Sequence, residues 1–208
     1  MNDSPYNACD YLCERCKETD NCSVYQSLKE KELLNQLAGK DKDDPENFLQ
    51  DVQESLNEAK EMLEKMAAEL NVDPDEIADI EDVNIKHVED DPLYKLAHDF
   101  TMKTHHFLKE VKILINQDAK TCFEDIAWYH TLVSVKIYRA IGSAYDGLIE
   151  DAINSTGVAL KSLNLCIKAF NDIAIIHPDI SKKCRMLSKT ARAIKKGIEV
   201  RFITDSFN

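Results

Sequence analysis

From Pro45 onward the apolar residues recur at alternating steps of three and four, the spacing of helices that are greasy on one side. Phe48, Val52, Leu56, Ala59, Leu63, Met66 and Leu70 form the first stripe, preceded by Asp44-Pro45 as N-cap and first-turn proline. This predicts one amphipathic helix of roughly seven turns. Asp91-Pro92 opens a second helix by the same device, with Leu93, Leu96, Ala97, Phe100, Thr104, Phe107, Leu108, Val111, Leu114 and Ile115 on its stripe. After a break at residues 116–118, a third carries Cys122, Phe123, Ile126, His130, Val133, Ile137, Ala140 and Ile141 on one face. Trp128, Leu132 and Val135 make a second apolar strip behind it, so this helix is expected to be central or to form an oligomer contact. Gly142-Ser143 or Asp146-Gly147 marks the next turn or kink, and Ile149, Ile153, Thr156, Leu160, Leu163, Ile167, Phe170 and Ala174 continue the rhythm. His177-Pro178 ends this fourth helix, because the residue before a proline disfavours the helical conformation. A fifth places Ile180, Cys184, Leu187, Ala191, Ile194, Ile198 and Phe202 inward and its Lys and Arg outward.

Ahead of these, Ser23 and Gln26 have the spacing of a capping box, predicting a shorter helix from Ser23 to about Gly39, followed by a charged hinge at residues 40–44. The five long helices would each run roughly 24 to 29 residues, or about 36 to 43 Å. Matched lengths predict an all-α protein built as an up-and-down bundle of about five long helices, because each must cover its neighbours from end to end. The expected organisation is a cysteine-rich knuckle with a short helix at residues 1–40 and a helical bundle domain at 41–208. Within the latter, residues 71–91 form an acidic, irregular linker.

Composition sharpens the class. Of 208 residues, 44% are hydrophobic and 31% charged, with five Gly and five Pro, a balance that suits few, long elements. No apolar run approaches the roughly 18 residues of a membrane span, and MNDSPYNACD has neither the basic start nor the apolar middle of a signal peptide. The chain reads as cytoplasmic. The net charge of −12 hides an asymmetry: Asp73 to Asp91 carries nine acids against Lys86, while His177 to Ile203 carries eight Lys and Arg against Asp179 and Glu199. The acidic total disfavours a general nucleic-acid binder, and both charged stretches are expected to be solvated surfaces.

The densest chemistry lies at the start, where Cys9, Cys13, Cys16 and Cys22 follow the pattern CxxxCxxCxxxxxC. Four thiols within 14 residues suffice to wrap one metal centre, and an odd total of seven cysteines without an export signal argues against a disulfide framework. Only one CxxC pair occurs, Cys13 to Cys16, so Zn2+ and a [4Fe-4S] cluster both stay open as the occupant. The first three cysteines also match the CxxxCxxC of radical enzymes that use S-adenosylmethionine. That resemblance stops there, since an all-helical chain lacks the strand-helix barrel such chemistry needs and Cys22 would close the site.

His98, His105 and His106 sit on one predicted helix and His130 on the next. No Glu-x-x-His pair of the di-iron bundles accompanies them. His98 and His105 fall off the apolar stripe and are expected at the surface, whereas His130 lies mid-stripe and needs a hydrogen-bond partner to be buried. Cys122, Cys166 and Cys184 read as small core residues. With no phosphate loop, nucleophile signature or zincin motif, the sequence points away from an enzyme and toward a metal-binding protein with an interaction or regulatory role. A protein partner or a homo-oligomer is expected. The alternatives are an iron-sulfur redox or electron-transfer component and a zinc-knuckle nucleic-acid adaptor using the basic last helix.

Overall fold

The computed structural model describes residues 9–40, 44–70 and 87–204. They are helical throughout, with six α-helices rather than about five, and no strand among the described residues. These are α1 (Ser23–Leu37), α2 (Pro45–Leu70), α3 (Pro92–Val111), α4 (Lys120–Tyr145), α5 (Ile149–Ile176) and α6 (Ser181–Ile198). Residues 41–43 of the hinge expected at 40–44 and most of the acidic linker, residues 71–86, lie outside the described residues. The chain divides into two compact units, one of Met1–Tyr11 with Lys86–Asn208, the other of Leu12–Ile85.

The first unit is a four-helix bundle. Each of α3 to α6 packs on the next in sequence, most extensively α4 on α5, and α6 returns to α3. Short connections impose this order, since a few residues between helices leave only an adjacent position for the next one. Asp91 caps α3 as its sequence foretells, accepting from the Leu93 amide at 2.9 Å with Pro92 in the first turn. The turn between α4 and α5 falls at Gly147, whose φ of +74° is the left-handed conformation glycine adopts without penalty. Gly142 stays inside α4.

Three stripes bury as expected. Ala97, Phe100, Thr104, Phe107 and Val111 of α3, Ile126, His130, Val133, Ile137 and Ile141 of α4, and Cys184, Leu187, Ala191, Ile194 and Ile198 of α6 are all in the core. Phe170 meets Phe100 and Phe107 edge-on, with ring centroids 6.3 and 5.8 Å apart. Differences follow from where chain direction changes and from residue size. Helix α3 ends at Val111, so Leu114 is exposed rather than part of the stripe. In α5 the large residues Ile149 and Ile153 are exposed, while Ala152, Ser155, Ala159, Ser162, Cys166 and Ala169 face inward. Small side chains on that face let helix backbones approach closely. The C-terminal part of α4 is fixed to the start of α5 by a forked pair: Arg139 Nε lies 2.9 Å and Nη2 2.8 Å from the two oxygens of Asp151, which also accepts from Ser143 at 2.5 Å.

The described residues of the second unit form no comparable core. Among its described residues only Leu12 is buried. Helix α1 ends at Gly39 (φ +71°), as expected, but its N-cap is Cys22, not Ser23; the Gln26 side chain donates instead to the Thr19 carbonyl at 3.1 Å. Helices α1 and α2 meet through polar groups: Asn35 donates to Asp51 at 3.0 Å, Lys31 to Ser55 at 3.1 Å, and Lys40 lies 3.5 Å from Asp51. The apolar stripe of α2 turns elsewhere. Leu49, Val52, Leu56, Leu63, Met66 and Leu70 are all exposed.

Candidate metal-binding segment and its anchor on the bundle

Four thiols belong to the candidate segment, and none is in a disulfide: Cys9, Cys13 and Cys22 are half-buried and Cys16 is exposed. The backbone around them is a run of tight turns. Cys13–Arg15 forms a single 3-10 turn closed by the Cys16 amide donating to the Cys13 carbonyl at 3.1 Å, and Thr19–Asn21 forms another closed by the Cys22 amide. Two thiols already accept from backbone amides two residues on: Tyr11 N–H donates to Cys9 Sγ at 3.2 Å, and Glu18 N–H to Cys16 Sγ at 3.4 Å. Cys22 stands at the first turn of α1, whose unpaired amides favour negative charge nearby. The donor chemistry therefore suits a thiolate-bound metal. No group of three or more His, Cys, Asp or Glu among the described residues is placed to hold a metal.

The start of this segment is anchored on the bundle. The Asp10 carbonyl accepts from the Trp128 indole at 2.9 Å, and the Asp10 carboxylate accepts from the Tyr129 hydroxyl at 3.1 Å and the Lys161 ammonium at 2.6 Å. Tyr11 follows at φ +57°, a left-handed conformation uncommon outside glycine and asparagine, and its ring lies 5.2 Å beneath the Lys136 ammonium. Lys136 is 3% exposed. Burial pushes its ammonium below the usual lysine range, reinforced by Arg139 and opposed by Cys9, Asp151 and Asp10. Asp10 and Tyr11 thus lie along α4, with Lys161 of α5 closing the carboxylate.

None of these anchors was identified from sequence. Trp128 was placed on a second apolar strip with Leu132 and Val135, yet it is 40% exposed with its indole bonded to Asp10. The buried third face of α4 is Tyr129, Val133, Lys136 and Ala140. Its steps of four, three and four were the available signal, masked because a lysine interrupts the apolar pattern.

His130 lies in the core at 4% exposure. Its Nδ1 is 2.8 Å from the Ile126 carbonyl, which can only accept, so the proton sits on Nδ1. Nε2 is buried without a partner, and the His105 ring stacks on His130 at 6.2 Å. Burial holds the imidazole below its ordinary range, the Ile126 and Ala127 backbone opposing and His105 adding to the depression. His98 and His105 are exposed, as expected of them. Cys166 and Cys184 are buried core thiols pushed up to about 12 and about 11 by desolvation, while Cys122 is only half-buried.

No family model matches this chain, and neither a curated protein nor a solved structure matches it.

Proposed function

We propose that the chain is a metal-binding helical interaction protein: Cys9, Cys13, Cys16 and Cys22 hold one metal centre, and α2 pairs with α2 of a second copy. The protein acts in the cytoplasm, whose reducing conditions keep such thiols available for metal. The observation that carries the interaction role is the exposed stripe of α2. Leu49, Val52, Leu56, Ala59, Leu63, Met66 and Leu70 occupy the a and d positions of an unbroken heptad, and every one is exposed. The residues at the flanking e and g positions between them are Gln53, Ser55, Lys60, Met62, Ala67 and Glu69, which set no like charges against each other in a paired helix. Asp51, Glu54, Glu58, Glu61 and Glu64 fall on the outer positions. An acidic helix with its acids turned outward suits self-pairing better than a basic partner, which would leave the apolar stripe to water.

The turns around the cysteines support the metal half of this reading. A peptide of tight turns with one buried side chain has too little core to hold its shape, and a metal bound by four thiolates supplies folding energy directly. Anaerobic purification followed by iron, zinc and sulfide analysis tests this half. One zinc and no colour makes the segment a structural clamp. About four irons with acid-labile sulfide makes it an iron-sulfur centre and moves the protein toward electron transfer or redox sensing. Neither metal at stoichiometry rejects the metal half outright.

A further inference from the structure

Helix α6 carries seven Lys and Arg and no Asp or Glu. These bases are not equivalent. Lys183 is ion-paired with Glu110, and Lys195 donates to Asn164 at 3.0 Å and lies 3.8 Å from Glu199. Arg185, Lys189 and Arg192 are exposed and have no acidic partner among the described residues. Spaced at i, i+4 and i+7, they share one side of the helix and line a cleft of about 190 Å³. The cleft is completed by Ser188 of α6 and Asn171 of α5. Ser188 donates to Asn171 Oδ1 at 3.2 Å, which leaves the two Asn171 side-chain N–H groups as donors beside the three bases.

The charged groups of the cleft are all donors, the Asn171 N–H groups add to them, and no carboxylate lines it. Like charges at i and i+4 destabilise a helix, and bases near a helix N-terminus oppose its dipole, so the stability of α6 does not account for this cluster. On a protein of net charge −12, a cleft with two guanidinium forks and no carboxylate is instead a local inversion of the field.

We infer that the cleft formed by Arg185, Lys189, Arg192 and Asn171 binds a small oligophosphate anion. Guanidinium forks match phosphate oxygens two at a time, and lysine adds a point charge between them. Arg185 and Arg192 are separated by about 10 Å of helical rise, which suits two or three linked phosphoryl groups better than one. The volume is below the roughly 300 to 1,000 Å³ of pockets that enclose a drug-sized molecule, so the cleft takes the charged group and not a bulky body attached to it. This site is separate from the cysteines and from α2, and its test is independent of theirs.

The test is titration calorimetry of the full-length protein with inorganic tripolyphosphate at low salt, repeated with Arg185→Gln, Arg192→Gln and Lys182→Gln. Lys182 is an exposed base of the same helix outside the cleft. The expected result is one-to-one binding that weakens about ten-fold or more in each arginine variant and stays unchanged in Lys182→Gln. All three positions are exposed, and thermal melts of the variants establish that they remain folded. No binding at about 1 mM, or an equal loss in Lys182→Gln, overturns the proposal. Inorganic phosphate binding as tightly as tripolyphosphate overturns the oligophosphate class. A single-stranded oligonucleotide binding more tightly, with losses at Lys182 as well, assigns the helix to a nucleic-acid backbone and overturns the cleft.

Discussion

The Asp91 carboxylate pairs with the Arg201 guanidinium, 110 residues away in sequence, and so ties the first turn of α3 to the helical turn that follows α6. The same carboxylate caps α3 through the Leu93 amide and accepts from the Tyr145 hydroxyl at the end of α4 at 3.2 Å. Three helices are thus joined at one buried acid. Burial alone would raise its pKa, but Arg201, the Leu93 amide and Tyr145 together hold the carboxyl below the usual aspartate range.

Replacing Asp91 with Ala removes a cap and leaves Arg201 without its anion, a combined loss of about 3 kcal/mol in urea unfolding. Because the folded carboxyl is depressed, its contribution is fully present above the unfolded value of 3.8 and disappears as pH falls through the lower folded value. Wild-type stability should therefore fall more steeply below about pH 4 than that of Asp91→Ala. Equal slopes for the two proteins would contradict the role assigned to Asp91.

A second pH dependence belongs to His130. Its folded pKa lies below the ordinary 6.5, so the unfolded chain takes up a proton first as pH drops, and stability declines from about pH 6.5 downward. Thermal melts of His130→Phe across pH 5 to 7 should show this slope reduced. An unchanged slope would place the titrating group elsewhere.

Trp128 is the one tryptophan of the chain, so its indole bond to Asp10 makes fluorescence a direct report on the anchored N-terminal segment. In Asp10→Ala the Tyr129 and Lys161 bonds to the carboxylate are lost. The emission should shift while far-ultraviolet circular dichroism stays constant, and stability should change by about 1 kcal/mol or less because Lys161 is largely exposed. A wild-type spectrum in the variant would mean that the carboxylate does not hold the segment.

Sedimentation of the full-length protein should show a dimer, and the double substitution Leu56→Glu with Leu63→Glu should give a monomer with the bundle intact, since both side chains are exposed within the single chain. A wild-type monomer at tens of micromolar, about 7 kcal/mol of pairing energy or less, would remove the self-pairing reading of α2. A variant that remains dimeric would move the contact to another face.

Conversion of Cys13 and Cys16 to Ser should abolish binding of the proposed metal and leave the helical signal of α3 to α6 in place. Those helices bury their own core without any of the four cysteines, and the bundle's interior is complete from Ala97 to Ile198. Global unfolding on metal loss would contradict the division into a metal-dependent segment and an independent bundle.

Helix positions were legible in the sequence because capping and periodicity are local. Asp91-Pro92, Gly39 and His177-Pro178 mark real boundaries, and the stripes of α3, α4 and α6 are the buried faces. His130 could be assigned to the core from its place among Ile126, Val133 and Ile137, although its carbonyl partner could not be named. The thiol spacing at Cys9 to Cys22 is equally local, and the N–H to sulfur bonds at Cys9 and Cys16 are features no spacing displays.

By itself, then, the sequence determined which segments are helical, which faces of α3, α4 and α6 turn mostly inward, and where the metal-ligating residue types are concentrated. Only the tertiary structure decided what covers each face. The stripe of α2 is as regular as that of α3, yet one lies open and the other is buried, because amphipathicity states that a surface should be covered and not by which partner. Much of the inward face of α5 is made of small residues that carry almost no hydrophobic signal, and Lys136 and Tyr11 meet only because packing brings residues 10 and 11 onto α4. Such pairings depend on side-chain volume and distance in space, which periodicity along a chain does not encode.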